Sequence, residues 1–421
     1  MKTLKNIGKI ALLSLALCGG TTSCNYLDVV PPEQASLPDA TKDPESTLGF
    51  LFSCYGGIRN PFDYQTVEAG ADEYVLPPLW NTGSQKITWD LNLPTNIADG
   101  WSWGSNYRFI GQCLLFLQQL PHARGVTDEQ KRAWAAEANF LLAYYHMVTL
   151  VAYGPCPITD TYIDQATPES EYNGRMHFDY VKDWICQKFD EVCEDGQLPA
   201  TRTGDEWGRA TSVMAKALKA RLLVYAASPL FNGSFPYKDW ENTNFETPGY
   251  GKELISLKYD RKKWEVAKAA CQEAITAAEA AGHKLFSLED AQSLYQQAGL
   301  PLPFVPFKSA EGGTADKDKE FMERVQLMRY VVTTRYKEGN RETIWGLANQ
   351  GTMIIGSLPH RVIKNNQGTW KAGYSGVSPT LNTVEHFYTE NGVPMKKTNS
   401  STRNPNGTRA QGLPTAVTLS S

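Results

Sequence analysis

The sequence predicts a mainly α-helical protein: a degenerate tetratricopeptide-like scaffold of helical hairpins with long loop insertions and a loop-rich, short-strand C-terminal portion. Of its 421 residues, 42% are hydrophobic and 20% are charged, which is enough material for a large core. Apolar residues recur at helical spacing up to about residue 297, whereas β-branched patches and turn residues follow after about residue 325. Because no clean 34-residue period is present, we expect degenerate repeats only.

The first 23 residues are typical of a bacterial lipoprotein signal peptide. Lys2, Lys5 and Lys9 form a basic region, an apolar stretch of eight residues follows, and small residues lead up to Cys24. The apolar stretch is too short to span a bilayer, and the pattern predicts cleavage before Cys24 and lipid acylation of its thiol. An ordinary secretory signal peptide with an unmodified cysteine is the alternative, since Thr21 stands where lipoprotein signals prefer leucine.

Four regions are predicted after the signal peptide. Residues 24–45 contain four prolines and form a tether that leads from the lipid to the folded part. Residues 46–297 form the helical scaffold with aromatic loop insertions, and residues 298–395 form a loop-rich C-terminal portion that we expect to be incomplete. Residues 396–421 are rich in Thr, Ser, Asn and Gly and form a tail of low order.

The clearest helix is predicted from Thr127 to Tyr153. Thr127 and Gln130 form a capping box at its start, and Gly154 followed by Pro155 stops it. One stripe along it is formed by Trp134, Ala138, Leu141, Tyr145, Val148 and Ala152. Further helices are predicted at about 46–58, 105–120, 175–195, 209–227 and 261–281.

The last of these helices has a candidate cap at Asp260 and a terminator at Gly282. Its predicted apolar stripe consists of Trp264, Ala267, Cys271, Ile275 and Ala278. Long insertions lie between the helices at about 59–104, 229–259 and 298–325. Loops of that length are usually either functional or disordered, so they are the first places in which to look for a binding site.

Charge and cysteine spacing exclude two classes of protein. The formal net charge is −4 and no long run of Lys and Arg is present, so we expect no nucleic-acid partner. Six cysteines follow Cys24, and their spacing does not resemble a disulfide framework; Cys186 and Cys193 are two turns apart on one predicted helix, too far to bridge. We therefore expect buried free thiols.

Several short motifs, each weak alone, occur in a specific combination. They are Cys24-Asn25-Tyr26-Leu27-Asp28, Ala71-Asp72-Glu73-Tyr74, Glu137-Ala138-Asn139-Phe140-Leu141, Tyr153-Gly154-Pro155-Cys156-Pro157, Gly208-Arg209-Ala210-Thr211 and Ser228-Pro229-Leu230-Phe231-Asn232-Gly233. Together they resemble the SusD/RagB family of outer-membrane nutrient-binding lipoproteins of Bacteroidota. The resemblance extends from Cys24 to about Met395. Family members generally continue further, so a shortened C-terminus is expected.

The resemblance implies a lipid-anchored protein of the outer membrane, exposed on the cell surface and without catalytic activity. It also implies a helical scaffold that acts as a lid over a SusC-like TonB-dependent barrel. The implied ligand is a glycan, with a peptide as the ligand of a minority of relatives. No cofactor is expected, and no metal is assigned because the sequence has no D-x-D-x-D-G calcium loop.

Aromatic residues make up 11% of the sequence, and loop aromatics can stack on the C–H faces of sugar rings while amides bind the hydroxyl groups. Three groups of ligand contacts are predicted: Trp80, Asn81, Trp89 and Asn92 in the first insertion, Tyr237 and Trp240 in the second, and Trp345 and Trp370 in the C-terminal portion. Packing of each ring on its own scaffold is the alternative. For Trp101 and Trp103 packing is favoured, because a core stripe continues from them.

Two other functions stay open. A secreted glycoside hydrolase needs only two carboxylates close in space, and Asp72/Glu73 or Asp205/Glu206 are candidates. However, no H-E-x-x-H, G-x-S-x-G or P-loop motif occurs, and the six histidines lack metal-ligand spacing. His146 is predicted to be an interior histidine. The other function is a helical-repeat adhesin or assembly lipoprotein in which all aromatic residues belong to the core.

Overall fold

The computed structural model describes residues 37–58, 103–164, 166–297, 339–346 and 378–387, together with single residues and short stretches within 71–93, 299–334 and 363–371. The predicted signal peptide, Cys24 and the predicted tail at 396–421 lie outside the described residues. So does the first part of the predicted tether, whose last residues include a 3-10 helix, Leu37–Thr41.

Helices form most of the described chain, which confirms the predicted mainly α-helical class and is consistent with a tetratricopeptide-like arrangement. They are α1 (Pro44–Tyr55), α2 (Trp103–Gln119), α3 (Asp128–Tyr153), α4 (Phe178–Glu191), α5 (Ser212–Ala227), α6 (Lys262–Ala280), α7 (Leu288–Gln297) and α8 (Leu381–Glu385). Each helix from α2 to α5 packs against the one that follows it, and α1 packs against α2 and α3. A series of helical hairpins produces this order, because consecutive helices bury their apolar faces on each other.

The long helix α3 lies at the centre of the core. At its start, Thr127 Oγ1 accepts the Gln130 N–H at 3.2 Å, and Gln130 Oε1 accepts the Thr127 N–H at 3.0 Å, which is the predicted capping box. The helix ends where Gly154 takes a φ of 69°, in the region that favours glycine. The predicted stripe is buried or half-buried except at its end, where Ala152 is exposed.

The predicted apolar stripe of α6 is wrong in part. Trp264 and Ile275 are 42% and 51% exposed. The buried face instead consists of Ala267, Ala270, Ala274 and Ala278. Because α6 packs on the alanine-rich α5, small residues occupy the close contact and larger ones lie at its flank. The helix begins at Lys262, whose backbone N–H donates to Asp260 Oδ1 at 2.8 Å.

In the described residues, four two-residue strands form two antiparallel pairs. β1 (Tyr74–Val75) pairs with β4 (Ser378–Pro379), and β2 (Ile363–Lys364) pairs with β3 (Trp370–Lys371). In register, Tyr74 lies opposite Pro379 and Ile363 lies opposite Lys371. Short strands in the C-terminal portion agree with the sequence pattern. The pairing of β1 with β4 brings part of the first insertion next to that portion.

The main core spans α1 to α6, and a smaller cluster forms around α7. In the smaller cluster, Phe286 and Ala291 are buried and Tyr295 packs against them. Among the described residues, Cys54, Cys113, Cys156 and Cys186 are buried free thiols, as expected, whereas Cys193 and Cys271 are only half-buried.

Candidate functional site

An aromatic cluster surrounds the turn at the end of α3. We call it the Gly154 cluster; its members are Trp103, Tyr153, Arg175, Phe235, Tyr237 and Trp240. The backbone N–H of Trp103 donates to the Tyr153 hydroxyl at 3.1 Å, and the two rings meet edge to face with centroids 5.4 Å apart. From the second insertion, Trp240 lies against Gly154, where a β-carbon would be 3.5 Å from its ring. The cluster therefore joins the start of α2 and the end of α3 to a loop.

Stacked rings connect this cluster to the core. Buried Phe231 stacks on Phe178 of α4 with centroids 4.1 Å apart, and Phe235 lies 6.2 Å from Phe231. Phe235 in turn stacks on Trp240, with centroids 5.5 Å apart and planes inclined by 10°. The outermost ring is Tyr237, which meets Phe235 edge to face at 5.8 Å and is 70% exposed. The exposed Tyr237 ring thus contacts a series of rings that reaches the core, an arrangement that suits a stacking ligand.

A cation completes the Gly154 cluster. The guanidinium of Arg175 lies 4.7 Å above the Trp103 ring, within cation–π distance. Its Nη1 donates to the carbonyls of Pro155 at 2.6 Å and Tyr153 at 3.3 Å, on either side of Gly154. Arg175 therefore lies on the same turn as Trp240.

The first predicted group and Trp370 are only partly described. Trp89 is 48% exposed. Trp80, Asn81 and Asn92 lie outside the described residues, and Trp370 lies in β3 with its side chain outside them. The ligand contacts of this set stay predictions.

Trp345 packs on the scaffold. Its indole Nε1 donates to the Gly208 carbonyl at 3.0 Å, and its ring meets Phe140 and Tyr144 edge to face at 5.6 and 5.3 Å. These contacts correspond to the packing alternative for this residue. They join the segment 339–346 to α3 and to the Gly208-Arg209 motif.

A buried ion-pair network lies beside Trp345. The fully buried carboxylate of Glu137 accepts hydrogen bonds from Tyr55 Oη at 2.6 Å, Arg202 Nη2 at 2.9 Å and Arg209 Nε at 3.1 Å. Burial, together with the negative charge of Glu137, raises the pKa of Tyr55, which stays a donor. Glu206 Oε1 accepts from both arginines, at 3.1 and 2.7 Å. Glu206, a candidate hydrolase carboxylate, is therefore an ion-pair partner in this structure.

His146 is an interior histidine, as predicted. Its Nδ1 lies 2.8 Å from the Leu142 carbonyl, and its Nε2 accepts the Thr159 N–H at 3.1 Å. This pair of contacts requires a neutral ring with the proton on Nδ1. Burial lowers the pKa of His146 to about 4.

Within the described ranges, no group of three or more His, Cys, Asp or Glu side chains is placed to hold a metal ion. The same ranges contain no helix with the length and apolar character needed to cross a membrane.

Comparison with known proteins finds solved structures that are similar to this chain. No protein-family model and no curated protein matches the sequence significantly. A structure named BT4246 is 51% identical to this chain, with a TM-score of 0.74 over 85% of this chain and 58% of that one. A SusD-like protein (BF3747) from Bacteroides fragilis NCTC 9343 is 16% identical, with a TM-score of 0.58 over 86% of this chain and 57% of that one. The chain has a SusD-like fold.

The SusD-like fold confirms the family resemblance of the sequence motifs. The chain spans less than two thirds of each of these two relatives, namely 58% and 57% of their lengths. Sequence reasoning predicted only Tyr237 and Trp240 of the Gly154 cluster as ligand contacts. It assigned Trp103 to packing and missed Tyr153, Phe235 and Arg175. Phe235 had a signal, the density of aromatic residues between 231 and 240. Arg175 had none, because the predicted helix at 175–195 placed it inside a helix, whereas α4 begins at Phe178.

Proposed function

We propose that this protein binds oligosaccharides at the cell surface, without cleaving them, and delivers them to a SusC-like TonB-dependent transporter in the outer membrane. The observation that carries the binding role is the exposed Tyr237 ring, which contacts Phe235; Phe235 in turn stacks on Trp240 at the end of α3. Aromatic rings of this kind bind the apolar faces of sugars and do not require a catalytic group.

The SusD-like fold supports the transport role, since four of the motifs that resemble the SusD/RagB family lie in its described helices and loops. In this proposal, Cys24 carries the lipid, residues 24–45 are the tether, and residues 46–297 are the binding scaffold. The C-terminal portion at 298–395 completes the surface next to the scaffold through Trp345. Trp89, with its exposed ring, is a second contact for the ligand.

A glycan panel tests the binding role. The full chain, purified in mild detergent, is assayed against neutral and charged polysaccharides by affinity electrophoresis and calorimetry, with product analysis of the same incubations. We expect one polysaccharide class to bind without cleavage. Tyr237→Ala should weaken that binding at least tenfold, because Tyr237 is the outermost ring of the stack. Tyr172→Ala is the matched control, since Tyr172 is also exposed but lies on another loop.

The outcomes separate the functions that the sequence leaves open. Cleavage products would identify a hydrolase. Absence of binding across the panel would favour an adhesin, an assembly protein or a peptide binder. Equal loss of binding in Tyr237→Ala and Tyr172→Ala would exclude the Gly154 cluster as the specific site.

A further inference from the structure

Arg175 has no carboxylate partner among the described residues, unlike two other poorly exposed arginines, Arg202 and Arg209. Arg202 and Arg209 each pair with Glu137 and Glu206. In the described part of the chain, by contrast, no carboxylate lies within 4.0 Å of Arg175. Its guanidinium donates two hydrogen bonds, both from Nη1 and both to backbone carbonyl oxygens. A half-buried guanidinium without a counterion is unfavourable, because the charge is partly desolvated and nothing neutralises it.

The position of Arg175 is fixed before any ligand arrives. The Trp103 ring supports one face of the guanidinium at 4.7 Å, and the Pro155 and Tyr153 carbonyls hold Nη1. The backbone of Arg175 is held as well, since its carbonyl accepts from Asn242 Nδ2 at 2.6 Å. Among the described residues, Nε and Nη2 have no hydrogen-bond acceptor, so both donors can bind another partner. A planar fork of this kind matches the geometry of a carboxylate or a sulfate.

Arg175 and the stacked rings contact the same turn, the one at Gly154. Trp240 lies against Gly154, and Arg175 contacts the residues on both sides of Gly154. A sugar stacked on these rings would therefore place its substituents near a guanidinium. A neutral sugar offers only hydroxyl groups to that cation, whereas an acidic sugar offers an anion that neutralises it.

We propose that the Gly154 cluster selects anionic oligosaccharides, with Arg175 binding a carboxylate or sulfate on the sugar that stacks beside it. This inference rests on the proposed function and specifies its ligand class. Both anions share the chemistry that Arg175 recognises, and matched probes distinguish them.

The test compares matched glycans on the full chain in mild detergent. For carboxylates the pair is polygalacturonate and its fully methyl-esterified form; for sulfates it is chondroitin 4-sulfate and chemically desulfated chondroitin. We expect at least one anionic member to bind tenfold or more tightly than its matched partner. Binding of that member should weaken as NaCl rises from 50 to 500 mM. Arg175→Gln should abolish the preference, and Arg175→Lys should keep part of it.

Arg108→Gln is the matched control, because Arg108 also lies over an aromatic ring, that of Phe109 at 4.8 Å, but is outside the cluster. It should leave the preference unchanged. If Arg175→Gln fails to fold, the wild-type preference, its salt dependence and Arg175→Lys decide the question. Equal binding of both members of each pair, or a preference that survives in Arg175→Gln, would overturn the inference. Binding of neutral glycans alone would overturn the inferred preference for anionic sugars and leave the proposed function intact. Absence of binding to every glycan would overturn both the inference and the proposed function.

Discussion

The carboxylate of Glu137 pairs with the guanidinium of Arg209 through two contacts, Oε2 to Nε at 3.1 Å and Oε1 to Nη2 at 2.5 Å, across 72 positions of sequence. Both residues belong to motifs that carry the family resemblance. Trp345 donates to the carbonyl of Gly208, next to Arg209, and so joins a third segment to the same place. These motif residues therefore hold α1, α3 and the segment before α5 together.

Removing the charge of Glu137 should destabilise the protein strongly. In Glu137→Gln, two arginines lose their buried counterion and keep only the exposed Glu206, which should lower the free energy of unfolding by about 3–5 kcal/mol. Glu206→Gln is the control, because Glu206 is solvent-exposed and its loss should cost less than about 1 kcal/mol. Urea denaturation measures both. Similar small changes in the two variants would show that the network contributes little.

Trp345 should contribute to stability and leave glycan binding unchanged. Trp345→Ala removes contacts with Phe140 and Tyr144 and should cost about 3–5 kcal/mol of unfolding free energy. Trp345→Phe keeps a ring but loses the hydrogen bond to Gly208, and should cost about 1 kcal/mol. Calorimetry with the glycan identified by the panel checks binding to Trp345→Phe. Tenfold weaker binding at unchanged stability would instead support the predicted ligand contact.

His146 should make stability depend on pH. Because its pKa is lowered to about 4 in the folded protein from an ordinary value of 6.5, the unfolded chain binds its proton more readily. Stability is therefore complete above about pH 6.5 and is lost as pH falls through about 4, by roughly 1–3 kcal/mol for this residue. Denaturation between pH 4 and 8 should show a shallower dependence in His146→Gln. The exposed His122 provides the control, and an identical slope in His146→Gln and wild type would exclude this role.

Two glycines near α1 should respond oppositely to alanine. A β-carbon at Gly57 would collide with the Phe109 ring and come within 2.7 Å of the Tyr145 hydroxyl, so Gly57→Ala should cost about 1–3 kcal/mol. Gly49 lies exposed within α1 and has open space around it, so Gly49→Ala should stabilise by about 0.5–1 kcal/mol. Thermal unfolding of the pair checks both signs. A destabilised Gly49→Ala would contradict the helical assignment there.

The sequence predicts the helices well where a feature, such as a cap or a stop, depends only on residues that are neighbours along the chain. The capping box of Thr127 and Gln130 and the stop at Gly154 lie at the predicted positions, because each depends on residues within one turn. The prediction of the apolar stripe of α6 is wrong in part for the opposite reason. Which residues of that helix are buried depends on the alanine surface of α5, which the sequence of α6 does not contain.

Spacing, caps and short motifs are local features, so the helical class, most helix bounds and the family resemblance can be predicted from the sequence alone. Which aromatic rings are structural and which are exposed follows from the packing of the folded chain. Trp345 packs against Phe140, whereas Tyr237 projects from the stack at Gly154. The packing also places Arg175 beside Trp103 and two carbonyls, with no carboxylate of the described residues within 4.0 Å. The exposure of a ring and the counterion of a charge depend on segments distant in sequence, and packing alone brings those segments together.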